Sequence, residues 1–400
     1  MNPLTARRLT MLNVTRLLCG TAQPADGLRY GLGKDAPRSA RERRPVVVWN
    51  ITRRCNLRCL HCYSDSDNLN YPGELLEGDW RAMLEDLADF NIPALLISGG
   101  EPTIHPQFRA IVGYARELGL RVTVSTNGTL LSESLVDYLC SVGVTYVGIS
   151  LDGIGAVHDK FRGKVGTFDK VQSAFNLCRE AEVKVGLRLT LTPYTCENLK
   201  EVFEFVEENQ VPRVCFYHLV HSGRGEGLVR LQCEKERQAM DVIFDQTKKW
   251  HAQGDQREVL TVDQPADGAY LYCRLLAEDP VRADEVYDLL TWNGGGANSS
   301  GLGIACIDGF GQVHPDQFWH SYSLGNVRER RFSEIWQDEE EPLLKGLRER
   351  RLRLQGRCRD CRFQAICGGG FRFRAQQQFG NPWTEDPGCY LPRELTQSSF

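Results

Sequence analysis

Val46-Val-Val-Trp-Asn-Ile-Thr52, followed after two arginines by Cys55-Asn-Leu-Arg-Cys59-Leu-His61-Cys62-Tyr63, decides how the rest of the chain is organised. The first part has the β-branched, apolar composition of a strand buried on both faces in a parallel sheet. The second is a C-x3-C-x2-C triplet in a loop leaving the C-terminal end of that strand. Three thiolates on one tight loop can hold three irons of a [4Fe-4S] cluster, which wants four ligands. The fourth iron is then open to another ligand. Taken alone, the triplet also suits a zinc knuckle or three unrelated core cysteines.

Working outward, apolar runs alternate with helical patterns. Strands are expected at 46–52, 94–98, 121–126, 145–152, 184–191 and 213–220. Helices are expected at about 79–90 with Asp79 as N-cap, 107–118, 132–142 with Ser132 as cap, 167–182 and 197–209. Six βα repeats with short loops predict a parallel barrel or partial barrel. Ligands of such barrels gather at the C-terminal strand ends. The second strand ends in Gly99-Gly100-Glu101-Pro102, where glycines admit close approach to the main chain and a carboxylate can accept from an ammonium group. Later strand ends carry Ser125 and Asn127, then Ser150 and Asp152, then Arg188 and Thr190. Hydroxyls, an amide, an acid and a guanidinium suit ribose hydroxyls and a carboxylate. Each of these residues is equally suited to capping a strand or turn.

Beyond the repeats, His218-Leu-Val-His221-Ser-Gly-Arg224-Gly225 carries anion-binding side chains. A charged helix is expected at about 232–251, a further strand at 258–262, and a glycine-rich loop at 293–301 that lacks the lysine of a phosphate-binding loop. Residues 304–316 predict a small hairpin; its His314 and the nearby His320 could ligate a substrate metal, but a hairpin histidine is more often structural. Cys358, Cys361 and Cys367 then form C-x2-C-x5-C, and Cys389 supplies a fourth thiol. Four thiolates complete a second cluster; a structural zinc site is the alternative.

The cysteine triplet, its following aromatic Tyr63 and the Gly-Gly-Glu-Pro turn about forty residues on resemble the radical S-adenosylmethionine (SAM) enzymes. The resemblance implies a partial (β/α)6 barrel in which the open iron of the Cys55/Cys59/Cys62 cluster chelates SAM. Reductive cleavage of SAM would then give a 5′-deoxyadenosyl radical. It also places SAM contacts at Gly99, Gly100 and Glu101 and, less specifically, at Ser125, Asn127, Ser150, Asp152 and Arg188. The C-terminal cysteines resemble the SPASM iron–sulfur extension of that family. A two-cluster SPASM domain has further cysteines where this chain has Asp316 and Phe371. The expectation is therefore one auxiliary [4Fe-4S] cluster, on Cys358, Cys361, Cys367 and Cys389.

The haem-modifying branch looks nearest, in particular its members in haem d1 biosynthesis. Met11–Leu18, His218–Gly225, Gly311–Asp316 and Cys358–Cys389 carry that likeness. It implies a siroheme-derived tetrapyrrole substrate, 12,18-didecarboxysiroheme, losing two propionate side chains. It also implies an electron donor such as flavodoxin or ferredoxin. The cations Arg188, His218, His221, Arg224, Arg372 and Arg374 are candidates to hold substrate carboxylates.

Composition agrees with a soluble globular chain. It is 42% hydrophobic and 25% charged, with a formal charge of −4 that argues neither for nor against nucleic acid. No apolar run approaches the roughly eighteen residues of a membrane span. Seven of fifteen cysteines fall in two tight groups, which favours metal binding in a reducing, cytoplasmic setting; most of the other eight are expected to be buried. The N-terminus, basic through Arg7, Arg8 and Arg16, is expected to form a short amphipathic helix, and residues 24–44 an irregular connection. The division expected is a basic segment at 1–45, the barrel at 46–255, a connecting segment at 256–302 and the auxiliary-cluster domain at 303–400. A peptide-modifying SPASM enzyme is the rival enzymatic reading, and a non-catalytic iron–sulfur carrier the rival from another class.

Overall fold

The computed structural model describes residues 11–23, 26, 44–292 and 300–397. The connection at 24–44 and the glycine-rich loop at 293–301 lie almost wholly outside the described residues. The core strands are β2 (Val46–Asn50), β3 (Leu95–Ser98), β4 (Val122–Thr126), β5 (Tyr146–Ser150), β6 (Val185–Leu191), β7 (Arg213–His218) and β8 (Glu258–Val262). Each pairs in parallel with the next. Their helix-facing residues, among them Val47, Ile97, Val124, Ile149, Leu187 and Phe216, are buried because helices cover the outer face.

Both edges of this parallel sheet are covered, which removes free backbone groups that would otherwise invite pairing. On one side β1 (Met11–Asn13) runs antiparallel to β8. On the other, β9 (Ile304–Ile307) lies parallel to β2, and β10 (Gln312–His314) and β11 (Gly325–Asn326) continue antiparallel beyond it. The order is β1-β8-β7-β6-β5-β4-β3-β2-β9-β10-β11, an open barrel whose ends do not meet. The predicted hairpin is therefore also the barrel's eighth parallel-paired strand. The sheet runs through the segment expected to be a connection.

The N-terminal helix α1 (Val14–Cys19) packs on β8 and on a long helix at Cys233–Ala252, close to the expected 232–251. Helix α2 (Glu77–Asp89) begins two residues earlier than expected. Leu76 is its N-cap, and Asp79 is the third helical residue; its carboxylate reaches back to accept from Leu76 N at 3.0 Å and also takes Arg328 Nε at 3.0 Å. Asp86 of α2 accepts from Ser333 N and Oγ at 2.9 and 2.6 Å, tying the barrel to the C-terminal region. The Ser132 cap occurs as expected, accepting from Leu135 N. A short helix α3 at Ala156–Arg162, absent from the expectation, fills the β5 connection ahead of α4 (Thr167–Glu180). Of the eight scattered cysteines, Cys178, Cys215 and Cys306 are buried, whereas Cys140 and Cys233 are exposed. No described helix is long and apolar enough to cross a membrane.

Candidate active site

Cys55, Cys59 and Cys62 line one cavity of about 160 Å³ at the C-terminal ends of the barrel strands. Their loop is held from several sides by main chain. Gly100 N donates to Thr52 O at 2.7 Å and Glu101 N to Arg54 O at 2.9 Å. Gly100 has to be glycine because a methyl there would overlap the Arg54 carbonyl oxygen. From the β7 side, Arg224 N donates to Cys62 O at 3.0 Å, and a methyl on Gly223 would stand 2.5 Å from that oxygen. Gly223 also has φ near +54°, which favours glycine on its own account.

The three sulfurs have donors aimed at them. Leu57 N lies 3.5 Å from Cys55 Sγ, Ser66 N 3.4 Å from Cys62 Sγ, and Arg162 Nη1 3.5 Å from Cys59 Sγ. N–H groups directed at sulfur stabilise the charge of a cluster thiolate. Burial pushes the free Cys55 thiol up to about 12, so these sulfurs need a positive partner to be held as thiolates. The donor set fits an iron–sulfur cluster.

The expected SAM contacts divide into two groups. Tyr63, Gly99, Gly100, Ser125, Asn127, Ser150 and Arg188 all line the cavity. Tyr63 donates to Asn50 Oδ1 at 3.1 Å. Asn127 donates to Asn56 Oδ1 at 2.9 Å. Arg188 donates to Ser125 Oγ and lies over the Tyr217 ring, 4.7 Å from its centroid. Glu101 and Asp152, by contrast, are 0% exposed and do not line the cavity. Glu101 accepts from Thr103 N and Oγ1 and Thr126 Oγ1 through Oε1, and from Asn127 N through Oε2, at 2.6–3.1 Å. Its part is to fasten β3 to β4. Asp152 pairs with Arg162, stands 3.6 Å from His61 Nε2 and accepts from Thr190 N at 3.0 Å. Its carboxylate thereby orients Arg162, a cavity residue that the sequence reading missed. The only local sign of it was the acid-and-basic run Asp152–Arg162, which a surface helix would show equally well.

The candidate carboxylate-binding cations also divide. Arg188 and Arg224 line the cavity, but Arg224 already bonds Cys59 O, Asp65 and Ser66 O. Its Nη2 is buried without a partner among the described residues. His221 lines neither this cavity nor its neighbour. Arg372 is fully buried and donates to the carbonyls of Pro382 and Thr384; Arg374 pairs with Asp386. These two arginines satisfy buried acceptors, as deep guanidinium groups must. His218 reaches the cavity wall, but its ring is clamped by Glu236 at 2.7 Å and Asp267 at 3.0 Å. Asp267 in turn accepts from Tyr390 Oη at 2.7 Å.

Cys358, Cys361, Cys367 and Cys389 meet at a separate small cavity walled by Phe363, Leu391 and Ala266. Arg357 Nη2 donates to Cys389 Sγ at 2.7 Å. Burial raises all four thiols, Cys389 to about 11. Four convergent sulfurs with a guanidinium beside them fit a fully protein-ligated cluster. Tyr390, next to Cys389, stacks on His218 with centroids 6.2 Å apart, so the two cysteine sites are joined through one buried chain of contacts.

A model of the radical SAM superfamily matches residues 49–206, and a model of the SPASM iron–sulfur cluster-binding domain matches residues 299–362. The chain is 46% identical to Fe-coproporphyrin III synthase of Methanosarcina barkeri, over 96% of this chain and 98% of that protein. It is 40% identical to pre-heme d1 synthase of Dinoroseobacter shibae (89% and 88%) and 29% identical to AdoMet-dependent heme synthase of Nitratidesulfovibrio vulgaris (88% and 94%). Among solved structures, SuiB of Streptococcus suis bound to S-adenosylmethionine aligns with a TM-score of 0.67 at 19% identity, covering 87% of this chain and 78% of that one. That likeness concerns the fold. The two matched domains bring SAM and two [4Fe-4S] clusters to this protein.

Two outcomes test this geometry. Gly100→Ala forces the cysteine loop away from β3, at a cost of about 1–3 kcal/mol; the reconstituted variant is expected to lose SAM cleavage, read as 5′-deoxyadenosine by chromatography. Burial alone would lower the His218 imidazole, but the carboxylates of Asp267 and Glu236 outweigh it and raise it to about 10. A group raised in this way stabilises the fold fully below its ordinary value, about 6.5, and loses that contribution as pH climbs toward 10. The stability gap between wild type and His218→Gln, measured as denaturation midpoints, is therefore expected to shrink from pH 7 to pH 10; a constant gap contradicts the imidazolium. With its barrel, both cysteine cavities and relatives that match nearly end to end, the chain belongs to the radical SAM superfamily, as a SPASM-bearing enzyme of haem-related biosynthesis.

Proposed function

We propose that Cys55, Cys59 and Cys62 hold the SAM-binding cluster, that Cys358, Cys361, Cys367 and Cys389 hold the auxiliary one, and that the enzyme trims side chains of a siroheme-derived iron tetrapyrrole to give Fe-coproporphyrin III. The structural observation that carries this is a second cavity of about 500 Å³. It shares Tyr63, Ser64, Gly99 and Phe318 with the SAM-side cavity and adds Phe310 and Phe373. A macrocycle needs a broad aromatic wall, and its reacting side chain has to reach the neighbouring cavity. The 46% relative over 98% of its length supports Fe-coproporphyrin III as product. Removal of two propionates toward haem d1 is the second reading, supported by the 40% relative. The peptide-modifying alternative draws on likeness of fold at 18–19% identity.

When bound, SAM on the reduced cluster supplies a 5′-deoxyadenosyl radical for hydrogen abstraction. The chain's own residues do the positioning. Arg188, whose guanidinium is fixed by Ser125 and Tyr217, and the unpartnered Nη2 of Arg224 are the cavity cations suited to a carboxylate, either of SAM or of the substrate side chain. Phe318 and Tyr63, packed edge to face at 5.5 Å, separate the two cavities and shield the reacting centre from water. A flavodoxin or ferredoxin in the cytoplasm suits the single-electron reduction that this chemistry needs.

The decisive experiment is anaerobic reconstitution followed by incubation with SAM, reductant and 12,18-didecarboxysiroheme. Mass spectrometry is expected to find Fe-coproporphyrin III. A product lacking two propionates moves the assignment to haem d1 synthesis, and unchanged tetrapyrrole alongside active SAM cleavage rejects both. Replacing Cys55, Cys59 and Cys62 together by Ala is expected to abolish 5′-deoxyadenosine and to leave about four of about eight irons. Four irons and one zinc in the wild type would instead mark a zinc site at the C-terminal cysteines.

A further inference from the structure

The chain has eight histidines, and seven have a polar partner at the ring. His61 faces Asp152, His105 accepts from Gln107 N, His158 from Asp152 N, His218 bridges two carboxylates, His251 meets Thr21, His314 meets Tyr322 O, and His221 is engaged by the Leu228 main chain. His320 is the exception: among the described residues, no hydrogen bond or ion pair reaches its imidazole. Its backbone N–H is tied to Phe318 O at 2.9 Å, and its ring lies parallel to that of Tyr63, at 6° with centroids 5.8 Å apart. The imidazole is thus held in place but keeps both nitrogens free. It lines the aromatic second cavity, close to where that cavity joins the SAM side. The residue is exposed in the open cavity, where an imidazole is mostly uncharged at neutral pH and has a lone pair to give.

We propose that His320 is the axial ligand to the iron of the tetrapyrrole substrate, with the macrocycle lying against Phe310, Phe318 and Phe373. This rests on the iron-tetrapyrrole assignment made above. A neutral imidazole is a common protein ligand of haem iron, and a ring already fixed by stacking gives up little freedom when it binds. Ligation would set the position and rotation of the macrocycle, and with them the side chain presented to the SAM cavity. His314, the other histidine of this region, does not line the cavity: its Nδ1 is bonded to Tyr322 O, its Nε2 stands 3.6 Å from Asp308, and its ring packs edge-on against His320.

The test is a titration of the reconstituted holoenzyme with Fe(III)-coproporphyrin III, followed by the Soret band and by resonance Raman with Soret excitation. Wild type is expected to give the signature of a histidine-ligated ferric porphyrin. His320→Ala and His320→Gln are expected to lose it, and imidazole added to the Ala variant is expected to restore it. Retention of the wild-type spectrum in both variants overturns the ligand while leaving the tetrapyrrole assignment standing. Failure of the wild type to bind either this probe or 12,18-didecarboxysiroheme overturns both. Because imidazole rescue requires an intact cavity, a variant that is merely misfolded fails it and does not count as support.

Discussion

The close approach of two main chains, where Gly99-Gly100 at the end of β3 lies against Thr52–Arg54 at the end of β2, is the constraint on which the rest depends. Two backbone hydrogen bonds cross it, and no Cβ fits between the strands at Gly100. The cysteine loop emerges directly from this junction, so its three sulfurs take up positions that the sheet dictates. Arg224 and Gly223 hold the loop from the β7 side, and Arg162 bonds the middle sulfur from the helix after β5. The loop is fixed by at least three elements distant from one another in sequence. Such rigidity suits a site in which one iron has to be left open in a defined direction.

A second level of organisation is electrostatic. Full burial of an acid or a base is costly unless charges and hydrogen bonds are matched. Here they are matched in chains: Asp152 with Arg162 and His61, His218 with Glu236 and Asp267, Arg374 with Asp386 and Gln264. The last two chains meet at Gln264, which donates to Glu236 and to Gly388 O. Two of the six side chains that look like substrate-binding cations in the sequence, His218 and Arg374, are members of these chains. Arg188 and Arg224 stand on the cavity wall outside these chains.

Much of this is legible in the sequence, for particular reasons. Cys55, Cys59 and Cys62 share one short loop, so their spacing nearly is their geometry, and the six βα repeats announce the barrel through runs such as Val46–Trp49 and Val185–Leu191. Which way Glu101 and Asp152 point is a different matter. It is settled by Thr103, Thr126, Asn127 and Arg162, whose proximity exists only in three dimensions. Asp79 fails as a cap for a more local reason: Leu76 has the extended backbone that a cap needs, and Asp79 serves it from inside the helix. The hairpin at β9 and β10 is readable as a hairpin, but its parallel pairing with β2 depends on an edge that the sequence does not mark.

The stacking of Tyr390 on His218 bears on biogenesis. The buried carboxylate of Asp267 takes one of its bonds from Tyr390, and Gln264 at the rim of β8 donates one to Gly388 O. These partners lie 123 and 124 residues further along the chain. A nascent chain that has completed every barrel strand still has an unsatisfied acid and a half-open rim beside its SAM cavity. The barrel's wall is therefore finished only when this later segment folds back on it. A ribosome-stalled chain ending before Cys389 should lack both the auxiliary site and the finished wall of the first.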